Sequence, residues 1–234
     1  MYQTHKTYIT PDMKILDLIN ENPGLLLFLQ HFHIDFSVNN STVGQLCKQY
    51  NIGVKAFLSV INLYNGFFPD REEVDNINDV NSILVFLKNS HSFYKDEKYP
   101  ELKYYLNELK RSSQVKDIEL VEKFLDDYFE EVLEHLNYED QVAFPYFYSI
   151  IEKAEHAKKA NTFSVKEYLD HHTDIETKLS DLKNLLLKHM HFNNDLNTLR
   201  KFLNSLFGLE SDLKIHSAVE EKILIPLISK MEAA

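Results

Sequence analysis

Two stretches of this 234-residue chain share one pattern of chemically capable side chains. His135 is followed four positions on by Glu139 and then, after five residues, by Pro145. His216, Glu220 and Pro226 repeat that spacing 81 residues later. Both copies place an acidic residue directly after the glutamate (Asp140, Glu221) and apolar residues just before the proline. On a helix, an i, i+4 spacing puts imidazole and carboxylate on one face about 6 Å apart, where they can grip one metal ion or bridge two.

Two further histidines fall on apolar stripes of the same kind. Val80, Leu84 and Leu87 lead to His91 and Tyr94. Leu125, Tyr128 and Val132 lead to His135, Glu139 and Val142. A third stripe runs His172, Ile175, Leu179, Leu182 and Leu186. Leu209 and Leu213 lead to His216, Glu220, Ile223 and Leu227. These positions define inward helix faces. Of the adjacent pair His171 and His172, the register through Ile175 and Leu179 selects His172. Burying imidazoles and carboxylates together without a cation costs a few kcal/mol for each poorly paired group, and a bound metal relieves that cost.

The donor set His91, His135, His172, His216, Glu139 and Glu220 contains no thiolate and suits iron, manganese or zinc. Three ligands per ion, with carboxylates able to bridge, leave positions open for a small exogenous ligand. That describes a reactive non-haem di-iron centre better than a closed structural zinc site. Buried Tyr and Phe would exclude water and supply a supporting hydroxyl. The remaining histidines have plainer roles: His31 and His33 fall in an N-terminal module, and His156, His189 and His191 near helix ends.

The elements that must position these residues are helices. Five Gly and six Pro disfavour turn-dense β folds. Short helical pieces are expected at 13–20, 25–33, 43–50 and 54–64, the third N-capped from the turn over residues 37–42. Residues 66–79 have boundary composition. Four long segments follow at 80–110, 115–153, 164–189 and 195–230, separated by short polar connections. The reading is an all-α protein: a small helical domain over 1–70, a linker over 71–79, and an antiparallel four-helix bundle over 80–234. Pro145 and Pro226 are expected to kink or end their helices beyond the ligands.

Asp and Glu outnumber Lys and Arg by 36 to 25, and the net charge of −11 opposes binding to nucleic acid. The single cysteine, Cys47, excludes an internal disulfide framework and a Cys-based metal site, and reads as a core residue. No apolar run reaches the roughly 18 residues of a membrane span, and MYQTHKTYITPDMK lacks the apolar core of a signal peptide. A soluble, cytoplasmic protein is expected.

The order His, HxxxE, His, HxxxE over about 80–230, with its HxxxExxxxxP repeats, resembles the hemerythrin-like family. The four-His, two-Glu pattern resembles its iron–sulfur cluster repair (RIC) subgroup more than the oxygen carriers, which have an extra histidine ligand. ILDLINENPGLLLFLQHFHIDF followed by TVGQLCKQYNI is similar to the small domain that precedes the bundle in that subgroup. Ser37-Val38-Asn39-Asn40 stand here where that domain carries two cysteines and two glycines after Asp-Phe. The resemblance implies two irons per chain, bridged by Glu139 and Glu220 with room for an oxo bridge, and completed by His91, His135, His172 and His216. It implies O2 or NO as small ligands, damaged iron–sulfur proteins as clients, and a role in nitrosative and oxidative stress through iron donation or reaction at the centre. A homodimer stays open. The rival readings are an O2, NO or iron sensor or storage module, and a helix–turn–helix regulator over 42–61 with the turn at Asn51-Ile52-Gly53.

Overall fold

The computed structural model describes residues 7–68, 77–112, 118–152, 168, 176–189 and 195–233. Every regular element among them is helical, and the one strand-like pairing is an isolated Lys14–Thr42 bridge. Backbone contacts divide the chain into two compact units, residues 1–90, 144–165 and 215–234, and residues 91–143 and 166–214.

The first unit opens with four short helices, α1 (Ile15–Glu21), α2 (Leu25–His31), α3 (Val43–Tyr50) and α4 (Val54–Tyr64), close to the expected pieces. Thr42 starts α3 with a capping box: its hydroxyl accepts from the Gln45 N–H, and the Gln45 side chain accepts from the Thr42 N–H. Asn51 ends α3 in the left-handed conformation, a common asparagine role. Phe28 packs edge-on against Phe57 and Phe32, all three buried, and truncating such a ring costs about 3–5 kcal/mol.

Helix α5 (Ile77–Ser92) packs its first turns on this group. Gly53 donates its N–H to Ser82, and Ala56 donates to Oδ1 of buried Asp79. A Cβ on Gly53 would lie 2.1 Å from that same oxygen, so only glycine permits the approach. The same unit contains α8 (Phe144–Ile151) and α11 (Ile225–Ala233), which pack together.

In the second unit, α6 (Tyr99–Ser112) and α9 (Glu176–His189) both pack on α7 (Ile118–Tyr138). Leu102, Leu106, Leu125, Phe129, Leu136, Leu179 and Leu182 supply buried apolar surface at helical spacing. Helix α10 (Leu196–Val219) buries Phe202, Leu206, Leu209 and Leu213. A buried Lys183–Glu210 ion pair ties α9 to α10.

The long helices are not uniform. Each of three contains a π turn: π1 (Phe93–Lys98), π2 (Glu139–Ala143) and π3 (Glu220–Leu224). In π1 and π3 the Tyr99 and Ile225 N–H groups reach carbonyls five residues back, on Tyr94 and Glu220. All three turns end two residues before a proline, Pro100, Pro145 and Pro226. Proline has no N–H for the carbonyl four residues earlier, and its ring clashes with that carbonyl in an α-helix. A π turn passes the carbonyl to the next N–H along, so the helix continues. Of the two outcomes expected at Pro145 and Pro226, the ending of the helix is corrected: helical turns continue through both prolines in α8 and α11.

The π turn also corrects one stripe position. Val142 is 37% exposed, while Ala143, Phe144 and Phe147 are buried. The extra residue of π2 rotates Val142 outward and gives its inward place to Ala143. No helix among the described residues is long and apolar enough to cross a membrane.

Candidate metal centre

Two of the three π turns begin on the glutamates of the sequence repeat, and the third begins two residues after His91. In the second unit, α5 delivers His91 and the α7–π2 junction delivers His135 and Glu139. Nε2 of His91 lies 3.3 Å from Oε2 of Glu139, and Nε2 of His135 lies 3.3 Å from Oε1 of the same carboxylate. Glu139 and His91 are buried and His135 sits at the margin of burial. The Tyr168 hydroxyl donates to Oε1 of Glu139 at 2.7 Å.

Behind His91 stands a charged support. Its Nδ1 donates to Oδ1 of Asp140 at 2.9 Å, because a carboxylate can only accept. Oδ2 of Asp140 takes a 2.9 Å hydrogen bond from Lys95, which also donates to Asn137. Burial works against a charged His91, but the hydrogen bonds to Asp140 and Glu139 outweigh it and lift its pKa to about 9. Burial likewise raises the Asp140 pKa, and His91 and Lys95 more than offset that, holding it at about 2. The surroundings of His91 and Glu139 thus favour a positive charge between them.

In the first unit, Nε2 of His216 lies 3.2 Å from Oε1 of Glu220, both fully buried. Ser90 gives its only hydroxyl hydrogen to the Leu87 carbonyl at 2.7 Å. Its oxygen therefore accepts from Nδ1 of His216 at 2.8 Å. His91 and His216 are held in the same tautomer, each with Nε2 turned toward a glutamate.

The structure brings His91, Glu139, His216 and Glu220 into one buried group of side chains with the character of metal ligands. His135 joins it through Glu139. His172, with His171, His156 and His191, lies outside the described residues. His31 is buried edge-on to Phe86, and its carbonyl accepts from Asn89. The repeat marked Asp140 as an acidic position without giving it a role, and Ser90 and Tyr168 were not singled out from the sequence. A hydroxyl near the centre was expected, but nothing in the periodicity said which one.

Residues 96–228 match the hemerythrin HHE cation binding domain, more than half of the chain. The chain belongs to the hemerythrin family. The match begins at residue 96, five positions after His91. No curated protein and no solved structure gives a significant match.

The donor set fits a metal. Oε2 of the fully buried Glu139 faces Nε2 of His91 at 3.3 Å, an oxygen and a nitrogen donor close enough to share one cation. Nitrogen and carboxylate oxygen donors without sulfur suit iron, the metal typical of hemerythrin domains. With its buried His/Glu group and its family, the protein is a metal-binding helical module.

Proposed function

We propose that this protein is a non-haem di-iron protein of the iron–sulfur cluster repair type, acting in the cytoplasm under nitrosative and oxidative stress. In this reading His91, His135, His172 and His216 hold two irons that Glu139 and Glu220 bridge. Residues 80–234 form the antiparallel four-helix bundle, 1–70 the preceding helical domain and 71–79 the linker. The bound irons would supply reversible chemistry with O2 or NO, and iron for a damaged cluster protein. The chain's own contribution is to fix the imidazoles in one tautomer, to orient the carboxylates and to keep water from them.

One observation carries the reading. Glu139 presents its two oxygens to two different imidazole nitrogens, His91 and His135, in a buried setting within a cation-binding domain. A carboxylate so placed is suited to bridge. The test is the metal content of protein purified without oxygen from iron-replete cells, beside a Glu139→Ala, Glu220→Ala double variant. About two irons per chain, lost in the variant, is the expected result. A wild-type chain that takes up no metal on anaerobic reconstitution overturns the proposal.

A sensor or storage role is the second reading, and Ser37-Val38-Asn39-Asn40 favours it by removing the thiol pair of the repair subgroup. Transfer of iron to an apo cluster protein, against reversible NO binding with the iron retained, separates the two. The helix–turn–helix reading finds α3 and α4 formed, but the first turn of α4 packs on Asp79 and Ser82 of α5. A buried carboxylate thus lies where a recognition helix would meet bases.

A further inference from the structure

We propose that Asn22, Asn62 and Asn65 form a clamp for an extended peptide segment, and that residues 7–9 of a second copy of this chain can fill it, linking two chains by exchange of that segment.

The clamp lies wholly within the first unit, and the chain's own Thr7, Tyr8 and Ile9 sit in it. Ile9 is fully buried and is paired as a strand residue is, but by a side chain. Its N–H donates to Oδ1 of Asn62 at 2.7 Å, and its carbonyl accepts from Nδ2 of the same amide at 3.0 Å. The other Nδ2 hydrogen of Asn62 goes to the Leu58 carbonyl, which fixes the amide on α4. Two residues earlier, the Thr7 carbonyl accepts from Nδ2 of Asn65 at 3.1 Å. Oδ1 of Asn65 accepts from Asn22, which also donates to the Tyr64 carbonyl. Between these anchors Tyr8 turns outward, 45% exposed, and meets Phe67 edge-on with ring centroids 5.5 Å apart. Main-chain bonds with side chains alternating inward and outward are how a sheet edge accepts an added strand. Here helix-borne amides take the place of the edge. Asn62 and Asn65 are buried, so an empty clamp would leave costly polar groups without their partners.

These contacts run from residues 7–9 to residues 22–67. They read main chain and one isoleucine, which the same segment of another copy presents equally well. The joint that must open is a tight turn, in which Met13 donates to the Thr10 carbonyl at 3.3 Å and the Thr10 hydroxyl donates to Asp12 at 2.6 Å. From Pro11 onward the chain is tied to the start of α3, where Gly44 donates to the Pro11 carbonyl and Val43 to that of Met13. Exchange therefore opens one short turn and regains the clamp contacts in the partner, the balance that makes segment swapping a low-cost route to a dimer.

The test mixes two full-length variants, both carrying Cys47→Ala. Tyr8→Cys with Asn62→Asp keeps the segment and removes both amide donors of the clamp. Phe67→Cys with Ile9→Asp keeps the clamp and spoils the side chain that fills it. The mixture is treated with a short bis-maleimide and read by denaturing gel and mass spectrometry. A covalent heterodimer through positions 8 and 67 is expected, about tenfold or more above the level seen when the first variant also carries Ile9→Asp. One chain with both Tyr8→Cys and Phe67→Cys links internally and serves as the control for reach. Folded variants that give no heterodimer overturn the proposal. Where a thermal melt shows either variant unfolded, the single variants Tyr8→Cys and Phe67→Cys, with clamp and segment otherwise intact, decide instead. A heterodimer that grows with protein concentration supports exchange, and none at any concentration overturns it.

Discussion

The Tyr168 hydroxyl and the His135 imidazole meet the same oxygen of Glu139, one at 2.7 Å and the other at 3.3 Å. Tyr168 and Glu139 are closed off from solvent, so this neutral donor is what offsets part of the cost of burying the carboxylate. Tyr168→Phe removes the donor and nothing else. The apo protein is expected to lose about 1.5–3 kcal/mol in urea unfolding, the worth of a hydrogen bond to a charged group. A loss below about 0.5 kcal/mol would show that the bond carries no weight.

The register set by π2 gives a paired prediction. Val142→Asp falls on an exposed position and should change stability by no more than about 0.5 kcal/mol. Ala143→Asp puts a charge at a fully buried position and should cost more than about 3 kcal/mol or abolish folding. An uninterrupted α-helix through Glu139 predicts the opposite order. Thermal melts of the two variants decide the matter.

Cys47 is fully buried, and burial pushes its thiol from 9.0 to about 12. In the folded chain it should resist a thiol reagent at pH 8 and react completely once denaturant is added. The group also bears on alkaline stability. Between pH 9 and 12 the folded thiol keeps its proton while the unfolded one loses it, so stability falls as pH rises through that window. The wild type should lose about 1.4 kcal/mol per pH unit there relative to Cys47→Ala. Parallel pH profiles for the two proteins would contradict it.

The members of the buried His/Glu group could be read from spacing. His135 with Glu139 and His216 with Glu220 stood out because an i, i+4 pair shares a helix face, and His91 because its stripe of Val80, Leu84 and Leu87 is buried as expected. The supports of the histidines were not legible. Ser90 and Asp140 lie beside inward positions and take their roles from contacts that no single-helix pattern encodes. Val142 went astray for a local reason: one inserted residue looks like ordinary drift of a 3.6-residue period. The prolines held that information. Each marks the helix position where the α ladder cannot close, and the wide turn sits just before it.

Each of the three π turns adds one residue beyond what a plain helix of that rise would use. The proline that follows acts as a ratchet, since the regular ladder cannot re-form across a residue with no N–H. Glu139 and Glu220 therefore cannot slide back into ordinary helical phase with the residues that follow them. Two of the three insertions fall at the glutamates of the sequence repeat, and removing one residue between Glu139 and Pro145 would rotate everything beyond it by about a hundred degrees around the helix axis.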